Sequence, residues 1–542
     1  MLRLNKFIKL IKTWKLEFDQ YNNLEKLFKS AIKNNKFRNK TIVFNIVRNN
    51  RKYFDNEAYI AKLLALNGAN VKILLDDGIL SHWDTYHIDN FKRNLKVKDL
   101  NKYSLNPAYK YRNIHNGIWF LAREFINKVL MKKNFNIYKD ENLEIIFYSR
   151  IFKQDLFKNF NLFPSINDLN KFAESSTIRF FKTPFLEYNN PIIKKFFILS
   201  KRNAIISKLI GEYSNKILNS DIFITSHGIY STWGPAFEYL KRKKIKSYVI
   251  VPRFSHGKKE KIGLLVDTKM QTLSKSESWK KFSHKKVTKD MRKKVENYFQ
   301  LRTNFQIEDT RVLFKNPEDF KIYKSKDFDY YVGMFPNVIW DGNIKDRKNI
   351  FKTRLDWFKT TIDFFKKNKN LRLYIKSHPS EVTVLKNSPR ISDILQNYYD
   401  FSKITNISLI PPNSRINTYN FIKQLDLGIV YDGTLGIEMP YLGIPTILSV
   451  KDGFSTIEGG NFTPKNKSEY LNYLNNIDHL INKFHANYEK YYLDNIIRYI
   501  YWYLYENKIK IPTLRNKKNQ MKGFQLRKED LKLEKRLLEI LN

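Results

Sequence analysis

Apolar and polar positions alternate between short buried strands and amphipathic helices in two separate stretches of the chain. In the first stretch, TIVFNIV (41 to 47) is the apolar run of a buried strand, a helical period follows over about 56 to 67, and ANVKILL is a second strand. The pattern returns with a helix at about 200 to 218, a strand at 221 to 228, a helix at 232 to 243 and a strand at 246 to 252. Strands separated by helices in this way favour a parallel sheet.

The second stretch carries the clearest pattern. NLRLYIKSHPSE places His378 at the carboxyl end of an alternating strand, and Pro379 favours extended backbone at the residue before it. LDLGIVYDGTLGIEMPYLGIPTILSV then predicts a buried strand at 425 to 431, a helix at about 434 to 442 that ends at Gly443, and a third strand. This stretch is therefore a second βαβ unit.

Two βαβ regions predict an α/β protein with two Rossmann-like domains, whose parallel sheets face a cleft. With 542 residues the chain is long enough for two hydrophobic cores. The predicted boundaries are an N-terminal basic amphipathic segment at 1–40, an N-terminal acceptor domain at 41–270 with a helical insertion at about 85–215, a linker at 271–325, a C-terminal nucleotide-sugar domain at 326–500, and C-terminal helices at 501–542.

Composition narrows the class of protein. Hydrophobic residues make up 42% of the chain and aromatic residues 15%, which excludes a disordered chain. The net charge of +45 would attract phosphate-rich partners such as nucleic acid, anionic lipid or nucleotide donors, although a coding bias toward Lys and Asn explains part of it equally well. The chain has no cysteine, so it forms neither disulfides nor a thiolate metal site, and it lacks an uninterrupted apolar run of membrane-spanning length.

The first twenty residues form a basic amphipathic pattern. Its apolar and basic positions recur at helical spacing, and they are Leu4, Phe7, Ile8, Ile11 and Phe18 with Lys6, Lys9, Lys12 and Lys15. Such a helix suits an anionic membrane surface, where a lipid-linked acceptor would be found. It would equally well pack against its own domain, and the sequence leaves both alternatives open.

The second βαβ unit contains a predicted anion site. Free N–H groups of Thr434, Leu435 and Gly436 at a helix start attract a phosphate, and Gly433 lets it approach the backbone. Glu438 lies four residues beyond Thr434, on nearly the same helix face, where a carboxylate suits the hydroxyls of a ribose. Because α/β sheets bind ligands at the carboxyl ends of their strands, His378 is expected at the same edge as this loop.

These residues resemble a known family. WDGNIKDRKNIFKTRLDWF, KSHPSE and the Asp-Gly-Thr-x-Gly-x-Glu segment are similar to the C-terminal half of capsule and surface polysaccharide biosynthesis glycosyltransferases, which have the GT-B architecture. The resemblance implies that His378 contacts the nucleotide phosphate, that Gly433 and Thr434 cradle it, and that Glu438 holds the ribose. The chain departs from the family pattern at Asp432, where Ser or Thr is usual, and at Pro440 inside the predicted helix.

The catalytic base is expected in the N-terminal half. Asp76 and Asp77 follow a strand and precede a glycine, where a carboxylate with a raised pKa would deprotonate an acceptor hydroxyl. An acidic pair followed by glycine also occurs in bacterial sialyltransferases that carry a His-Pro motif. The competing candidates are His82 with Asp84, Glu57 at a helix start, and His227 with Gly228 at a strand end.

Further substrate contacts are expected on the rim around His378. Lys376 would neutralise charge as the nucleotide departs, with His378 as a catalytic residue beside it. Asn337, Trp340 and Asp341 follow the strand YYVGMF and so fall on the same rim. No cluster has the spacing of zinc ligands, so we predict that no metal and no cofactor is needed.

Taken together, the sequence predicts a glycosyltransferase that moves a sugar from a nucleotide-sugar donor to a hydroxyl of a surface glycan or its lipid-linked precursor. Its expected location is cytoplasmic, at the inner face of the cell membrane, without a specific nucleic-acid partner. One alternative is a CDP-polyol phosphotransferase of cell-surface polymer synthesis. The other is a non-enzymatic basic protein that binds nucleic acid or membranes, which salt-resistant affinity for DNA or RNA would favour.

Overall fold

The computed structural model describes residues 18–47, 51–84, 135–152, 167–254, 261–304, 317–340, 350–383, 390–511 and 535–541, apart from isolated positions within those ranges. Its strands, in chain order, are β1 (Thr41–Ile46), β2 (Asn70–Leu75), β3 (Leu143–Phe147), β4 (Ile222–Ser226), β5 (Lys246–Phe254), β6 (Lys261–Val266), β7 (Tyr330–Phe335), β8 (Leu371–Lys376), β9 (Ile407–Ile410), β10 (Leu427–Val430), β11 (Thr446–Leu448) and β12 (Lys508–Ile511).

The helices pack on both faces of two sheets. In chain order they are α1 (Arg51–Leu66), α2 (Tyr148–Ile151), α3 (Asn167–Phe181), α4 (Pro191–Lys216), α5 (Tyr230–Arg242), α6 (Glu277–Phe282), α7 (Lys289–Thr303), α8 (Arg354–Lys367), α9 (Ser380–Thr383), α10 (Ile391–Gln396), α11 (Thr418–Ile422), α12 (Leu435–Tyr441), α13 (Lys467–Asn475), α14 (Ile477–Asn487), α15 (Leu493–Tyr501) and α16 (Lys535–Leu541).

Within the described residues, the first sheet has seven strands in the order β12-β6-β5-β4-β1-β2-β3. From β5 to β3 all neighbours are parallel, and β6 and β12 add an antiparallel edge. Every residue of β4 and all but the first of β1 are buried, as expected for strands covered on both faces. One hydrophobic core packs α1 against one face, and a second packs α4 and α5 against the other.

The part of the chain that the structure describes places five parallel strands in the second sheet, in the order β11-β10-β7-β8-β9. Its apolar side chains also divide between two cores, one against α8 and α13 and the other against α11 and α12. One fully parallel sheet and one sheet that is parallel from β5 to β3, each with helices on both faces, confirm the predicted α/β class with two Rossmann-like halves.

A further core joins the two halves, and we call it the bridging core. It includes Val249 of β5, Phe299 of α7, Ile437 of α12 and Trp502 just beyond α15. Residues from the first sheet, from the segment between the sheets and from the second half therefore share one apolar interior. Helix α12, which begins at the predicted anion loop, is packed from behind by this core.

The structure corrects two sequence expectations. The segment at about 85–215, expected to be helical, contributes strand β3 to the edge of the first sheet beside β2. The segment at 501–542, expected to be helical, contributes β12, whose backbone pairs antiparallel with β6. Both are edge strands of the first sheet, and their sequences, LEIIF and KIKI, lack the continuous apolar run of a strand buried on both faces.

The described part of the N-terminal segment packs against the first domain. Residues 21–29 are helical, and Tyr21, Leu24 and Phe28 are buried in the core that also contains α1. Phe18 is 41% exposed, and the other apolar positions of the predicted amphipathic pattern lie outside the described residues. Among the helices that the structure describes, none is long and apolar enough to cross a membrane.

Candidate active site

The loops that follow β10, β7 and β8 lie side by side, because β7 is between the other two strands in the second sheet. Parallel strands place these loops at one edge. Asn337 follows β7, His378 follows β8 and Gly433 follows β10. Gly433 has φ of +142°, and a β-carbon there would lie 3.6 Å from Asn337 Nδ2. The structure therefore brings Asn337 and the glycine loop into contact.

The turn after β8 fixes the imidazole of His378. Its Nδ1 accepts a hydrogen bond of 3.2 Å from the backbone N–H of Ser380, and its carbonyl accepts one of 3.0 Å from the N–H of Glu381. A neutral imidazole whose Nδ1 is an acceptor carries its proton on Nε2. The ring is half-buried. Its Nε2–H can therefore donate a hydrogen bond, and a phosphate oxygen is a hydrogen-bond acceptor.

Lys376, the last residue of β8, is buried and has no partner among the described residues. Its side chain is 4% exposed and makes no hydrogen bond or ion pair with any described residue. Burial lowers the pKa of its ammonium group to about 8. Alternation along the strand places it on the same face as Tyr374, the face covered by α11 and α12. A bound anion beside this group would favour the charged ammonium form and raise its pKa again.

Glu381 is a second buried ionisable group beside the His-Pro turn. Its side chain is 2% exposed, and its Oε2 accepts a hydrogen bond of 3.2 Å from the N–H of Ile391. Its Oε1 is buried without a hydrogen-bond partner among the described residues. Burial raises the pKa of this carboxyl to about 7, against a smaller lowering by the backbone N–H groups of Ile391 and His378.

The start of α12 offers two backbone donors. The N–H groups of Thr434 and Leu435 make no hydrogen bond with the described residues, and the Thr434 hydroxyl does not cap the helix. The N–H of Gly436 donates to the carbonyl of Gly433 at 3.1 Å. The prediction of a free amide at Gly436 is therefore wrong, because a tight turn precedes the helix and uses it.

The proline inside α12 is accommodated by a side chain from outside the helix. Pro440 has no N–H to donate to the carbonyl of Gly436, four residues earlier. Asn461 Nδ2 donates to that carbonyl instead, at 3.0 Å. Gly443 then ends the segment as predicted, with φ of +82°. Pro440, which departs from the family pattern, therefore does not disrupt the start of α12.

The carboxylate of Glu438 is buried and already paired. Tyr419 donates a hydrogen bond of 3.0 Å to Oε2, and Arg302 Nε lies 2.6 Å from Oε1 without the alignment of a hydrogen bond. Arg302 comes from α7 in the bridging core. The predicted contact with a ribose stays a prediction, and it requires the sugar to share this carboxylate with both partners.

The loop after β7 is tied down by a buried arginine. Arg354 Nη1 donates to the carbonyl of Val338 at 2.7 Å, and its guanidinium lies 4.5 Å from the ring centroid of Tyr431. Trp340, in the same loop, is 3% exposed and belongs to the core of the second half. Asp341 lies outside the described residues.

Arg179 connects this edge to the first sheet. Located in α3, it donates from Nε to the carbonyl of Asp84 at 2.7 Å and from Nη1 to the hydroxyl of Tyr230 at 2.8 Å. Its guanidinium lies 4.8 Å from the ring centroid of Tyr230 and 6.0 Å from that of Trp340. The loop after β4 and the loop after β7 therefore approach each other across one cation, with the carboxyl edges of the two sheets facing.

Asp76 and Asp77 occupy hydrogen-bonded positions at the end of β2. Asp76 is fully buried, and its Oδ1 accepts from three consecutive backbone N–H groups, those of Gly78, Ile79 and Leu80, at 2.9 to 3.1 Å. Its Oδ2 accepts from the indole N–H of Trp83 at 2.9 Å. Asp77 accepts from the N–H of Ser149 at 2.9 Å and from its hydroxyl. Their role as general base stays a prediction.

The competing N-terminal candidates differ in exposure. His82 and Asp84 are 1% and 3% exposed, with His82 Nε2 3.0 Å from the hydroxyl of Ser200 and burial lowering the pKa of the imidazole. Asp84 Oδ2 accepts hydrogen bonds at the start of α5. Glu57 is 4% exposed, whereas His227 is half-buried.

The rim of the second sheet is rich in donors. Its described side chains supply the Lys376 ammonium, the His378 imidazole and the Asn337 amide, beside the two backbone N–H groups of α12. This is the chemistry of an anion site. Within the described ranges, no three His, Asp or Glu side chains are grouped as metal ligands.

Sequence reasoning missed the arginines of the site. Arg179 lies in the insertion whose fold could not be read, and Arg302 lies in the Lys-rich stretch predicted to be a linker. Arg354 lies in the quoted segment WDGNIKDRKNIFKTRLDWF, but its role was not apparent from the sequence. Glu381 stands three residues after His378 in the quoted SHPSE motif, so its proximity was available from the sequence, but its burial was not.

Comparison with protein families and with curated proteins finds no sequence match. Among solved structures, the chain is similar to a β-Kdo 2,4 transferase, KpsC, of Thermosulfurimonas dismutans, with 12% identity, a TM-score of 0.33, and coverage of 52% of this chain and 79% of that one. It is also similar to the UDP-GlcNAc 2-epimerase of Neisseria meningitidis bound to UDP-GlcNAc, with 10% identity, a TM-score of 0.24, and coverage of 86% and 100%.

A third similar structure is Alr3699/HepE of Anabaena in complex with UDP-glucose, with 11% identity, a TM-score of 0.26, and coverage of 85% of this chain and 98% of that one. At these identities and TM-scores, the similarities assign neither a substrate nor a reaction to the chain.

Proposed function

We propose that the protein is a glycosyltransferase that moves a sugar from a nucleotide-sugar donor to a hydroxyl of a surface or capsular polysaccharide, or of its lipid-linked precursor. One observation carries the proposal. The donor-rich rim of the second sheet faces the carboxyl edge of the first sheet across Arg179, so that a nucleotide and an acceptor would meet between them.

The rim is proposed to hold the phosphate of the donor. His378 would donate to a phosphate oxygen through Nε2, and the N–H groups of Thr434 and Leu435 would donate from the other side. Gly433 supports this role because its missing β-carbon leaves the backbone open to close approach. Asn337, in contact with Gly433, would fix the loop or donate to the same phosphate.

Lys376 is proposed to stabilise the leaving group. As the bond from the anomeric carbon to the phosphate breaks, negative charge grows on the phosphate, and a preorganised cation lowers the free energy of that state. Neither this step nor phosphate binding calls for a metal or a cofactor, so we propose that the reaction uses none. Glu438 would reach the ribose, with Tyr419 and Arg302 orienting its carboxylate.

The proposed setting is the cytoplasmic face of the cell membrane, where a lipid-linked acceptor would be presented. The net charge of +45 supports a peripheral location, because anionic lipids attract basic proteins. The remaining partners would be the donor nucleotide and the growing glycan.

The test is a screen of the purified protein against CMP-, UDP-, GDP- and CDP-linked sugars and CDP-glycerol, with glycan acceptors and with and without a chelator. Transfer of a sugar without phosphorus supports the proposal. Transfer of a polyol phosphate with release of CMP would identify the phosphotransferase alternative. His378→Ala is expected to abolish turnover, and His479→Ala, at an exposed position of α14, is the matched control. If neither variant loses turnover, the proposed site is rejected.

A further inference from the structure

The carboxyl edge of the first sheet has its own topological switch point. From β1 the strand order continues to β2 and β3 on one side, and β4 and β5 lie on the other side. The connections after β1 and β4 therefore diverge, and α/β sheets bind ligands in the crevice that forms at such a point. In a protein whose nucleotide lies at the second sheet, this crevice is the natural place for an acceptor.

The loop after β4 is held in a strained backbone conformation. His227 and Tyr230 have φ of +57° and +64°, a region that non-glycine residues enter at a cost of on the order of 1–3 kcal/mol each. Gly228 has φ of +65°, and a β-carbon there would lie 2.8 Å from Val249 Cγ2. The surrounding packing must enforce this loop, and strain of this kind is concentrated at functional sites.

Two buried contacts fix the loop at Ser226 and His227. The hydroxyl of the preceding residue, Ser226, donates a hydrogen bond of 2.8 Å to Oε1 of Glu57, which is buried in α1. The imidazole stacks on the indole of Trp233, with ring centroids 5.0 Å apart and an interplanar angle of 21°. The residue as a whole is nevertheless only half-buried, and it lies at the carboxyl end of β4, where this crevice forms.

The other titratable side chains at this edge have structural contacts that proton transfer would disrupt. Asp76 accepts four hydrogen bonds, Asp77 accepts two from Ser149, and His82 is 1% exposed. His227 is half-buried like Asp77, but it is held by the strained backbone of its loop and by stacking on Trp233. An imidazole is also the side chain whose ordinary pKa, about 6.5, suits proton transfer near neutral pH.

We propose that His227 is the general base that takes the proton of the acceptor hydroxyl, and that Glu57, acting through Ser226, is a positioning residue. This inference rests on the proposed glycosyltransferase function. As the acceptor oxygen attacks the anomeric carbon, a carbon–oxygen bond forms and the bond from that carbon to the donor phosphate breaks. The electron pair of the broken bond leaves with the nucleotide, and the hydroxyl proton goes to the imidazole of His227.

The test compares His227→Asn with His479→Asn. Asparagine tolerates the left-handed backbone, so the loop is preserved while the base is removed. Sugar transfer by His227→Asn is expected to fall about 10²- to 10⁴-fold, while the Kd for the free nucleotide stays unchanged. The acid limb of the wild-type kcat/KM profile is expected to disappear in this variant. Glu57→Gln is expected to lose less activity and to shift that limb of the profile.

The outcomes separate this inference from the proposed function. A wild-type protein that transfers no sugar to any acceptor refutes the proposed function. A wild type that transfers sugar, with His227→Asn equally fast and with the same pH profile, refutes the role of His227 alone. If circular dichroism shows that His227→Asn does not fold, the wild-type profile decides, because a flat kcat/KM between about pH 5 and pH 8 contradicts an imidazole base.

Discussion

The guanidinium of Arg179 lies 6.0 Å from the ring centroid of Trp340, although the two residues belong to opposite halves of the molecule. The same guanidinium donates to the hydroxyl of Tyr230 in the strained loop of the first sheet. One cation therefore touches the edge proposed for the acceptor and the edge proposed for the donor. Substitution of Arg179 is expected to loosen both edges together.

We expect Arg179→Ala to lower kcat/KM for sugar transfer at least tenfold while nucleotide affinity changes little, because the relative position of the two edges is lost. Loss of its hydrogen bonds and aromatic contacts is also expected to lower the free energy of unfolding by about 2 kcal/mol. Steady-state kinetics, calorimetry and urea unfolding provide the measurements. Arg242→Ala, in an exposed ion pair with Glu238, is the control. Equal effects of the two variants would contradict the bridging role.

The orientation of His378 leads to a prediction about its substitutes. Because Nδ1 accepts from Ser380, binding is expected to depend on a donor at the Nε2 position. The amide of glutamine reaches close to that position, whereas the amide of asparagine lies nearer to Nδ1. We expect His378→Asn to raise the nucleotide Kd about 10- to 100-fold, the range of a hydrogen bond to a charged group, and His378→Gln to raise it less. Calorimetry giving the reverse order would exclude the Nε2 assignment.

Local patterns predicted the rim of the second sheet because a proline or a glycine next to each rim residue shows where its strand ends. Pro379 and Gly433 interrupt apolar runs, and strand ends of a parallel sheet must meet at one edge, so His378 and the glycine loop could be placed together. Gly443 marked the end of the helix for the same reason. These signals need no knowledge of the rest of the fold.

Long-range contacts had no such signal. The pairing of Glu438 with Arg302 and the contact of Arg179 with Trp340 join segments that are distant in sequence, and nothing local distinguishes these arginines from those on the surface. β3 was hidden because it is an edge strand whose apolar run is interrupted by Glu144. The burial that perturbs the pKa of Lys376 also depends on the packed fold.

Nucleotide binding is expected to be coupled to proton uptake at Lys376. The pKa of its ammonium group is lowered to about 8, so near pH 8 about half of the molecules carry a neutral amine. A bound phosphate favours the charged form, and binding should therefore take up a fraction of a proton. Calorimetry at pH 8 in two buffers of different ionisation enthalpy measures this uptake. Lys376→Met should reduce the proton uptake. Lys367→Met, on the exposed end of α8, should leave it unchanged. Equal uptake in both variants would contradict the assignment of the proton to Lys376.

Asp76 is expected to contribute more to stability than Asp77. Asp76→Ala leaves three backbone N–H groups and the Trp83 indole in a buried site without their acceptor, which should lower the free energy of unfolding by about 3–5 kcal/mol. Asp77→Ala removes two hydrogen bonds at a half-buried position, with an expected loss of about 1–2 kcal/mol. Urea unfolding monitored by circular dichroism measures both, and equal losses would contradict this ranking.

The buried carboxyl of Glu381 is expected to make stability fall as pH rises. Its pKa is raised from 4.5 to about 7 by burial, so the folded protein prefers the protonated form. The stabilisation is fully present below about pH 4.5 and is lost as pH rises through about 7, with a span on the order of 3 kcal/mol. Asp393 adds to the rise, whereas Arg390 and the N–H groups of Ile391 and His378 oppose it.

Glu381→Gln keeps an acceptor for Ile391 but cannot ionise, so it should be more stable than the wild type at pH 8 and nearly equal to it at pH 5. Thermal unfolding at both values is the measurement, and a difference in stability that does not change with pH would show that Glu381 is charged in the folded protein throughout this range.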